Sequence, residues 1–82
     1  MNGLIWVTAA EYLGGHKLRL SFNDGSRKVF DFSPLIKKFP LYRGLEPTEK
    51  FKDFTVTDWT VSWDNGEIDI APEYLYEHGV AV

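Results

Sequence analysis

Residues 63–76 constrain the fold more than any other part of the chain. Their sequence is W-D-N-G-E-I-D-I-A-P-E-Y-L-Y. An Asn-Gly pair between apolar stretches is a strong hairpin signal, because both residues tolerate positive φ angles. Pro72 suits the first position of a helix, Glu73 suits its positive end, and Gly79 suits its C-terminal cap. The segment predicts a strand, a tight turn, a return strand over residues 68–70 and a final helix.

A second hairpin is predicted near the N-terminus. Apolar and polar residues alternate along residues 17–22, which is typical of a strand with one buried face. Residues 23–25 are Asn-Asp-Gly, and the glycine can adopt the positive φ angle of a three-residue loop. This loop places Leu18 opposite Phe30, which keeps the apolar side chains on one face. A two-residue loop would instead pair Leu18 with Asp31.

Two short helical segments are expected between the hairpins. Ser33 precedes a proline, which predicts a helix start with the serine hydroxyl as the cap, and Pro40 ends that helix. Leu35 and Phe39 lie four residues apart, so we expect both to face the sheet. Residues 47–51 suit one further helical turn.

The remaining strands follow from alternation of apolar residues. Residues 5–9 predict a first strand, and residues 54–56 and 59–63 predict two more, separated by a turn that resets the pleat. The chain is therefore expected to form one α+β domain over residues 1–82. Its architecture is an antiparallel sheet of five to six short strands, arranged as hairpins, with two or three short helices.

Composition narrows the classes of function. The chain has 82 residues, and its 44% hydrophobic content is too high for intrinsic disorder. It contains no cysteine, which excludes disulfides, thiolate metal sites and thiol nucleophiles and suits the cytoplasm. The net charge of −3 disfavours nucleic-acid binding, and the N-terminal residues resemble neither a signal peptide nor a membrane span. We expect a cytoplasmic protein without a bound cofactor.

Carboxylates near the predicted last helix form one candidate site. Asp64, Glu67, Asp69 and Glu73 suit a cation if their oxygens converge, and Asp64, Asp69 and Glu73 alone suit a hydrolytic or small-ligand site. Turn and helix-start chemistry explains the same residues without a ligand, and Asp69 is placed to accept bonds from the first amides of the helix. No metal site is predicted, and no nucleophile with its base is present, so no catalytic residue is assigned. The residues favour a binding role over an enzymatic one and leave the second open.

A small basic face is a second candidate site. Lys17, Arg19 and Arg27 share the outer face of the first hairpin, where they suit weak contacts with phosphates or with an acidic protein. Exposed lysine and arginine are also common on the solvent face of a sheet. Nucleic-acid binding through this face therefore remains an alternative that the overall charge disfavours.

The quoted motifs together resemble a known family. F-N-D-G at residues 22–25, Asp31, the Ser33-Pro34 pair and residues 63–76 are similar to the sequence pattern of small bacterial proteins catalogued as domain of unknown function 2442. The candidate positions from its most specific part are Trp63, Asn65, Gly66, Asp69, Pro72, Glu73 and Tyr76.

The resemblance implies a protein-interaction role. Similar domains occur alone or fused to a helix-turn-helix module, and those that occur alone are often encoded beside another small protein, as in a toxin–antitoxin pair. A protein partner is therefore expected, and an antitoxin-like role is one form of that expectation. The family supplies no catalytic residues to transfer. The identity of the partner and the oligomeric state stay open.

Overall fold

A computed structural model describes residues 4–82, in which seven strands form two antiparallel sheets. The strands are β1 (Val7–Gly14), β2 (Lys17–Phe22), β3 (Arg27–Asp31), β4 (Thr55–Val56), β5 (Val61–Trp63), β6 (Ile68–Asp69) and β7 (Val80–Ala81). The α-helices are α1 (Ser33–Lys38), α2 (Thr48–Phe51) and α3 (Pro72–His78), and 3-10 segments span Pro40–Leu45 and Asp64–Gly66. The first sheet has the order β1-β2-β3-β7, and the second has the order β4-β5-β6.

The α+β class is confirmed, but the strands divide between two sheets rather than forming the single sheet expected. Within residues 4–82, the strands β4, β5 and β6 pair only with one another. A backbone bond of 3.0 Å from the Val7 amide to the Trp59 carbonyl links β1 to the loop between β4 and β5. The two-residue strand β7 was not predicted, because it exists only through its pairing with β3.

The register of the first hairpin is confirmed. Leu18 lies opposite Phe30 and Leu20 lies opposite Lys28. The Phe22 amide closes the loop with a bond of 2.9 Å to the Ser26 carbonyl.

Strand β1 departs from the simple alternation because it contains a bulge. The pairing with β2 shifts between Val7 and Ala9. Val7 is buried, but beyond the bulge Ala10 and Tyr12 pack against the core while Ala9 is exposed. One extra residue in a strand reverses the faces of those that follow, which local alternation does not reveal.

Helix α1 begins and ends where the prolines indicated, with two corrections. The expected cap by the Ser33 hydroxyl is not formed. Instead, the Asp31 carboxylate accepts a bond of 2.9 Å from the Ser33 amide. Leu35 and Ile36 are buried, whereas Phe39 is exposed. The expectation that Phe39 faces the sheet together with Leu35 is wrong, because the helix ends at Lys38 and Phe39 has an extended backbone.

One apolar core joins both sheets and the helices. At its centre, the Phe32 ring lies 5.4 Å from the Phe51 ring and 5.5 Å from the Trp63 ring, measured between centroids. The Trp63 indole N–H donates a bond of 2.8 Å to the Phe51 carbonyl. In the part of the chain that the structure describes, no helix has the length and apolar character needed to cross a bilayer.

Candidate functional site

An apolar groove of about 400 Å³ opens between α1, the Pro40–Leu45 segment and the start of α3. Leu35 and Phe39 line one side, Leu41 and Tyr42 come from the 3-10 segment, and Ile70, Ala71 and Tyr74 complete the wall. Two stretches that are distant in sequence, residues 35–42 and 70–74, therefore build the site.

Large apolar side chains at the rim of this groove remain accessible to solvent. Leu41 is 56% exposed, Phe39 is 42% exposed and Tyr74 is 39% exposed. Pro40 prevents α1 from continuing, so the next residues turn outward in a short 3-10 segment rather than on a buried helix face. A cluster of this kind marks a surface suited to contact with another molecule.

Main-chain oxygen atoms on one side of the groove already have hydrogen-bond partners. The Tyr42 hydroxyl donates to the Asp69 carbonyl at 3.0 Å, and the Thr60 hydroxyl donates to the Ile70 carbonyl at 2.7 Å. The Ala71 carbonyl accepts from amides in the first turn of α3. What this side of the groove offers to a ligand is thus largely apolar side-chain surface.

The Tyr42 hydroxyl is held in its neutral form. Burial raises the pKa of this phenol, and the nearby Asp69 carboxylate and Tyr74 hydroxyl raise it further. The hydroxyl therefore remains a hydrogen-bond donor at neutral pH and keeps its bond to the Asp69 carbonyl.

Opposite charges come from the two segments that flank the groove. Residues 32–45, on the α1 side, contain no acidic residue and the basic residues Lys37, Lys38 and Arg43. Residues 64–82, on the α3 side, contain no lysine or arginine and the acidic residues Asp64, Glu67, Asp69, Glu73 and Glu77. The Lys38 ammonium lies 5.6 Å from the centroid of the Phe39 ring, which places a positive charge at the rim.

Three of the candidate motif positions have structural roles. Trp63 is buried in the core. Asn65 and Gly66 have φ angles of 56° and 91°, as a left-handed turn requires, and they connect β5 to β6. These residues set the position of the return strand and do not line the groove.

The other four motif positions lie around α3. Pro72 is buried in the first turn, and Asp69 and Glu73 are exposed. The Tyr76 hydroxyl donates to the Asp24 carboxylate at 2.6 Å. The expected capping role of Asp69 is wrong, because no side-chain bond caps this helix, and Asp69 instead contributes its main-chain oxygen to Tyr42.

The Asp24 carboxylate has an unusually low pKa. Its bonds from the Ser26 hydroxyl, the Tyr76 hydroxyl and the Ser26 amide favour the ionised form and lower the pKa to about 2. Because the same bond favours the neutral phenol, the pKa of Tyr76 is raised. This pair connects the loop between β2 and β3 to α3.

The acidic residues do not form a metal centre in residues 4–82. No group of three or more His, Cys, Asp or Glu side chains there is arranged to hold a cation. Asp64 pairs with Lys50 at 3.2 Å, while Glu67, Asp69 and Glu73 are exposed. The structure therefore does not bring these carboxylates together.

Comparison with protein families gives one result. A family described as "Protein of unknown function (DUF2442)" has a model that matches residues 7–81, nearly the whole chain. The chain belongs to the DUF2442 family. A search of curated proteins and a search of solved structures each return no match. Membership of DUF2442 brings no activity with it, so the function rests on the geometry.

The basic face of this DUF2442 protein carries both signs of charge. Arg19 forms an ion pair with Glu11 on β1, and Lys17 lies opposite Asp31. Arg27 is exposed at the start of β3. The pairing register places the three basic residues on one face, but acidic neighbours interrupt the positive surface.

The sequence did not identify the groove residues of this DUF2442 protein as a site. The available signal was the run Phe39-Pro40-Leu41-Tyr42, which is rich in apolar side chains but follows neither helical nor strand spacing. Such a run next to a helix end cannot be buried along one face of a regular element.

Proposed function

We propose that this protein is a protein-interaction module and that the groove between α1 and α3 is its contact surface. The observation that carries the proposal is the combination of a concave apolar site with Phe39, Leu41 and Tyr74 at its rim. Interface hot spots are enriched in aromatic residues and lie in pockets that exclude water. Covering these side chains with a partner removes their apolar surface from water, which lowers the free energy of the complex.

The chemistry of the lining favours a protein over a small metabolite. Small-ligand sites combine apolar walls with a few free polar groups that orient the ligand. In this groove the Tyr42 hydroxyl and the Asp69 and Ile70 carbonyls are already bonded to each other or to Thr60. Recognition by apolar contact, with charges at the rim, is the usual arrangement in protein interfaces.

An antitoxin-like role is the specific form of this proposal. The family resemblance suggests a small protein encoded beside this one as the partner. Under the proposal, that protein inhibits growth when it is produced alone, and the groove neutralises it by direct contact. Co-expression tests this step, since wild-type protein restores growth and the groove variant Leu41→Glu does not.

The first test is co-purification of the tagged full chain from its native host. The variant Leu41→Glu places a charge at the rim with little cost to folding, because Leu41 is 56% exposed. Val82→Glu is the matched control, since Val82 is 76% exposed and does not line the groove. We expect the neighbouring protein to be recovered stoichiometrically with the wild type and with Val82→Glu.

Mass spectrometry should show that Leu41→Glu recovers at least about tenfold less partner, which corresponds to about 1.4 kcal/mol. A glutamate at the groove must lose its hydration when an apolar surface covers it. Recovery of the same partner in equal amounts with Leu41→Glu would exclude the groove as the contact surface. Recovery of the domain alone from the native host would count against the interaction role itself.

A further inference from the structure

The turn between β5 and β6 contains a chemically labile dipeptide. The side-chain carbonyl carbon of an asparagine lies close along the chain to the next main-chain nitrogen, and a following glycine has no Cβ to hinder their approach. The chain has three asparagines, Asn2, Asn23 and Asn65. Asn65 and Gly66 form this turn and are both exposed. Asn2 also precedes a glycine but lies outside the described residues, so the structure compares Asn23 with Asn65.

The side chains of these two asparagines are held differently. The Asn23 amide donates a bond of 2.9 Å to the Leu4 carbonyl, and its oxygen accepts a bond of 2.8 Å from the Trp6 amide. Within residues 4–82 the Asn65 amide has no such partner, and the side-chain bonds of its two preceding neighbours go elsewhere. Asn23 therefore has to break two hydrogen bonds before its carbonyl carbon can react, whereas the side chain of Asn65 is free to move.

The main chain of the turn can also move without disturbing the core. A Cβ added at Gly66 would meet no atom within 4 Å beyond its chain neighbours. The turn is closed by a bond of 3.1 Å from the Glu67 amide to the Asp64 carbonyl, and residues 64–67 are all exposed. Exposed turns with few packing contacts open at a low free energy. The Gly66 nitrogen can therefore rotate toward the Asn65 side chain while the rest of the domain stays folded.

We propose that Asn65 is a site of spontaneous deamidation in the folded protein. The main-chain nitrogen of Gly66 forms a bond to Cγ of Asn65, the Cγ–Nδ2 bond breaks, and the side-chain nitrogen leaves as ammonia with the proton that Gly66 gives up. Water then opens the cyclic imide at one of its two carbonyl carbons. Attack at Cγ gives aspartate, and attack at the main-chain carbon gives isoaspartate, in which the chain runs through the former side chain.

The two products have different consequences for the hairpin. Aspartate keeps the main chain and tolerates the left-handed φ angle of 56° that residue 65 adopts. Isoaspartate adds a carbon atom to the main chain of the turn, which changes the spacing between the paired residues Trp63 and Ile68. Both of these side chains are buried, and β6 has only two residues to hold the pairing. The isoaspartate form should therefore be less stable than the original protein.

The test follows all three asparagines in the full chain. Folded protein and protein unfolded in urea are incubated at mildly alkaline pH and physiological temperature and then digested with trypsin. Cleavage after lysine and arginine places each asparagine in its own peptide, namely residues 1–17, 20–27 and 53–82. Mass spectrometry measures the conversion of amide to acid, and electron-transfer fragmentation distinguishes isoaspartate from aspartate. Asn65→Gly is the control variant, because glycine keeps the left-handed turn and has no side-chain amide.

In the folded protein we expect Asn65 to convert at least about tenfold faster than Asn23, because Asn23 must first break two hydrogen bonds. The unfolded sample gives the rate of Asn65 without the fold. If Asn65 stays intact in the folded protein over a time in which the unfolded sample converts, the turn protects the side chain and the proposal is wrong. Equal rates for Asn23 and Asn65 in the folded protein would also contradict it.

Urea midpoints test the consequence for the hairpin. The incubated wild type should have a lower midpoint than the fresh protein, whereas incubation should not change the midpoint of Asn65→Gly. Asn65→Asp reproduces the charge of the product without the extra carbon atom, so its midpoint should stay close to that of the fresh wild type. An isoaspartate form with an unchanged midpoint, or an equal loss in Asn65→Asp, would overturn the role of the extra carbon atom. None of these measurements involves a partner, so they are independent of the proposed function.

Discussion

Two groups of large apolar side chains in this protein have opposite environments. Phe32, Phe51 and Trp63 are 0%, 0% and 2% exposed at the centre of the core. Phe39, Leu41 and Tyr74 protrude at the rim of the groove. The residue types are similar, so hydrophobicity alone does not explain which group is buried.

For Phe51 and Trp63 compared with Phe39 and Leu41, the difference comes from the local structure on which each residue is placed. Phe51 ends α2 and Trp63 ends β5, so their side chains have directions fixed by regular elements that pack together. Phe39 and Leu41 flank Pro40, where α1 stops and the chain turns. The comparison predicts that substitutions in the first group change the free energy of unfolding, while substitutions in the second change binding.

The largest expected effect on stability is that of Phe51→Ala. Truncation of a fully buried phenylalanine removes contacts and leaves a cavity, which costs about 3–5 kcal/mol. In a chain of 82 residues this is a large part of the total free energy of unfolding. Urea denaturation followed by tryptophan fluorescence measures it. A loss below about 1 kcal/mol would contradict the assignment of Phe51 to the core.

Thr60→Val tests a buried hydrogen bond that connects the core to a residue of the groove. The Thr60 hydroxyl is buried and is bonded to the carbonyl of Ile70, a groove residue. Valine has almost the same shape but leaves that carbonyl without a partner, so we expect a loss of about 1–3 kcal/mol. Thr60→Ser is the control because it keeps the hydroxyl. Equal stability of the two variants in urea would show that the missing bond is not responsible.

The sequence predicted local features better than features that depend on contacts between distant segments. Alternation over residues 17–22 with the loop at 23–25 was enough to give the register of Leu18 and Phe30, because strand spacing and turn chemistry are both local. The turn at Asn65 was predictable for the same reason. The division into two sheets was not, since nothing within residues 54–63 indicates which other strands they join.

The groove illustrates the same limit for function. Its walls combine residues 35–42 with residues 70–74, and no short motif records that they meet. Asp69 was expected to act through its carboxylate, but the contact that it makes with Tyr42 uses its main-chain oxygen, which side-chain chemistry does not reveal. Sequence patterns therefore identified the elements around the site more completely than the site itself.

A smaller effect, dependent on pH, is expected from the contact between α3 and the first hairpin. The pKa of Asp24 is about 2 in the folded protein, compared with 3.8 for an aspartate in an unfolded chain. Its ionised form therefore stabilises the fold fully above about pH 4, and this contribution is lost as the pH falls toward 2. Tyr76→Phe removes one of the bonds that lower this pKa while keeping the ring that packs on Phe22.

Urea midpoints measured between pH 2 and pH 6 test this contact. The wild type should lose more stability on acidification than Tyr76→Phe, and the two curves should approach each other near pH 2. Asp24→Asn should flatten the profile further because it removes the titrating carboxylate. Parallel profiles for the wild type and Tyr76→Phe would show that the hydroxyl bond does not contribute. Because Tyr74 and Tyr76 lie on the same helix, partner binding near neutral pH provides a separate measure of the groove.

The smallest expected change in stability is that of Leu41→Ala. More than half of this side chain is in contact with solvent in the free protein, so its truncation should alter the free energy of unfolding by no more than about 0.5 kcal/mol. In the complex the same side chain would be covered, and its loss should weaken partner binding by about 1–2 kcal/mol, as for a moderate interface hot spot. Urea denaturation and a binding titration on one sample compare the two effects directly. A stability loss approaching that of Phe51→Ala would place Leu41 in the core and remove the distinction between the two groups. An effect confined to binding would show that Leu41 contributes to the contact with the partner and not to the stability of the fold.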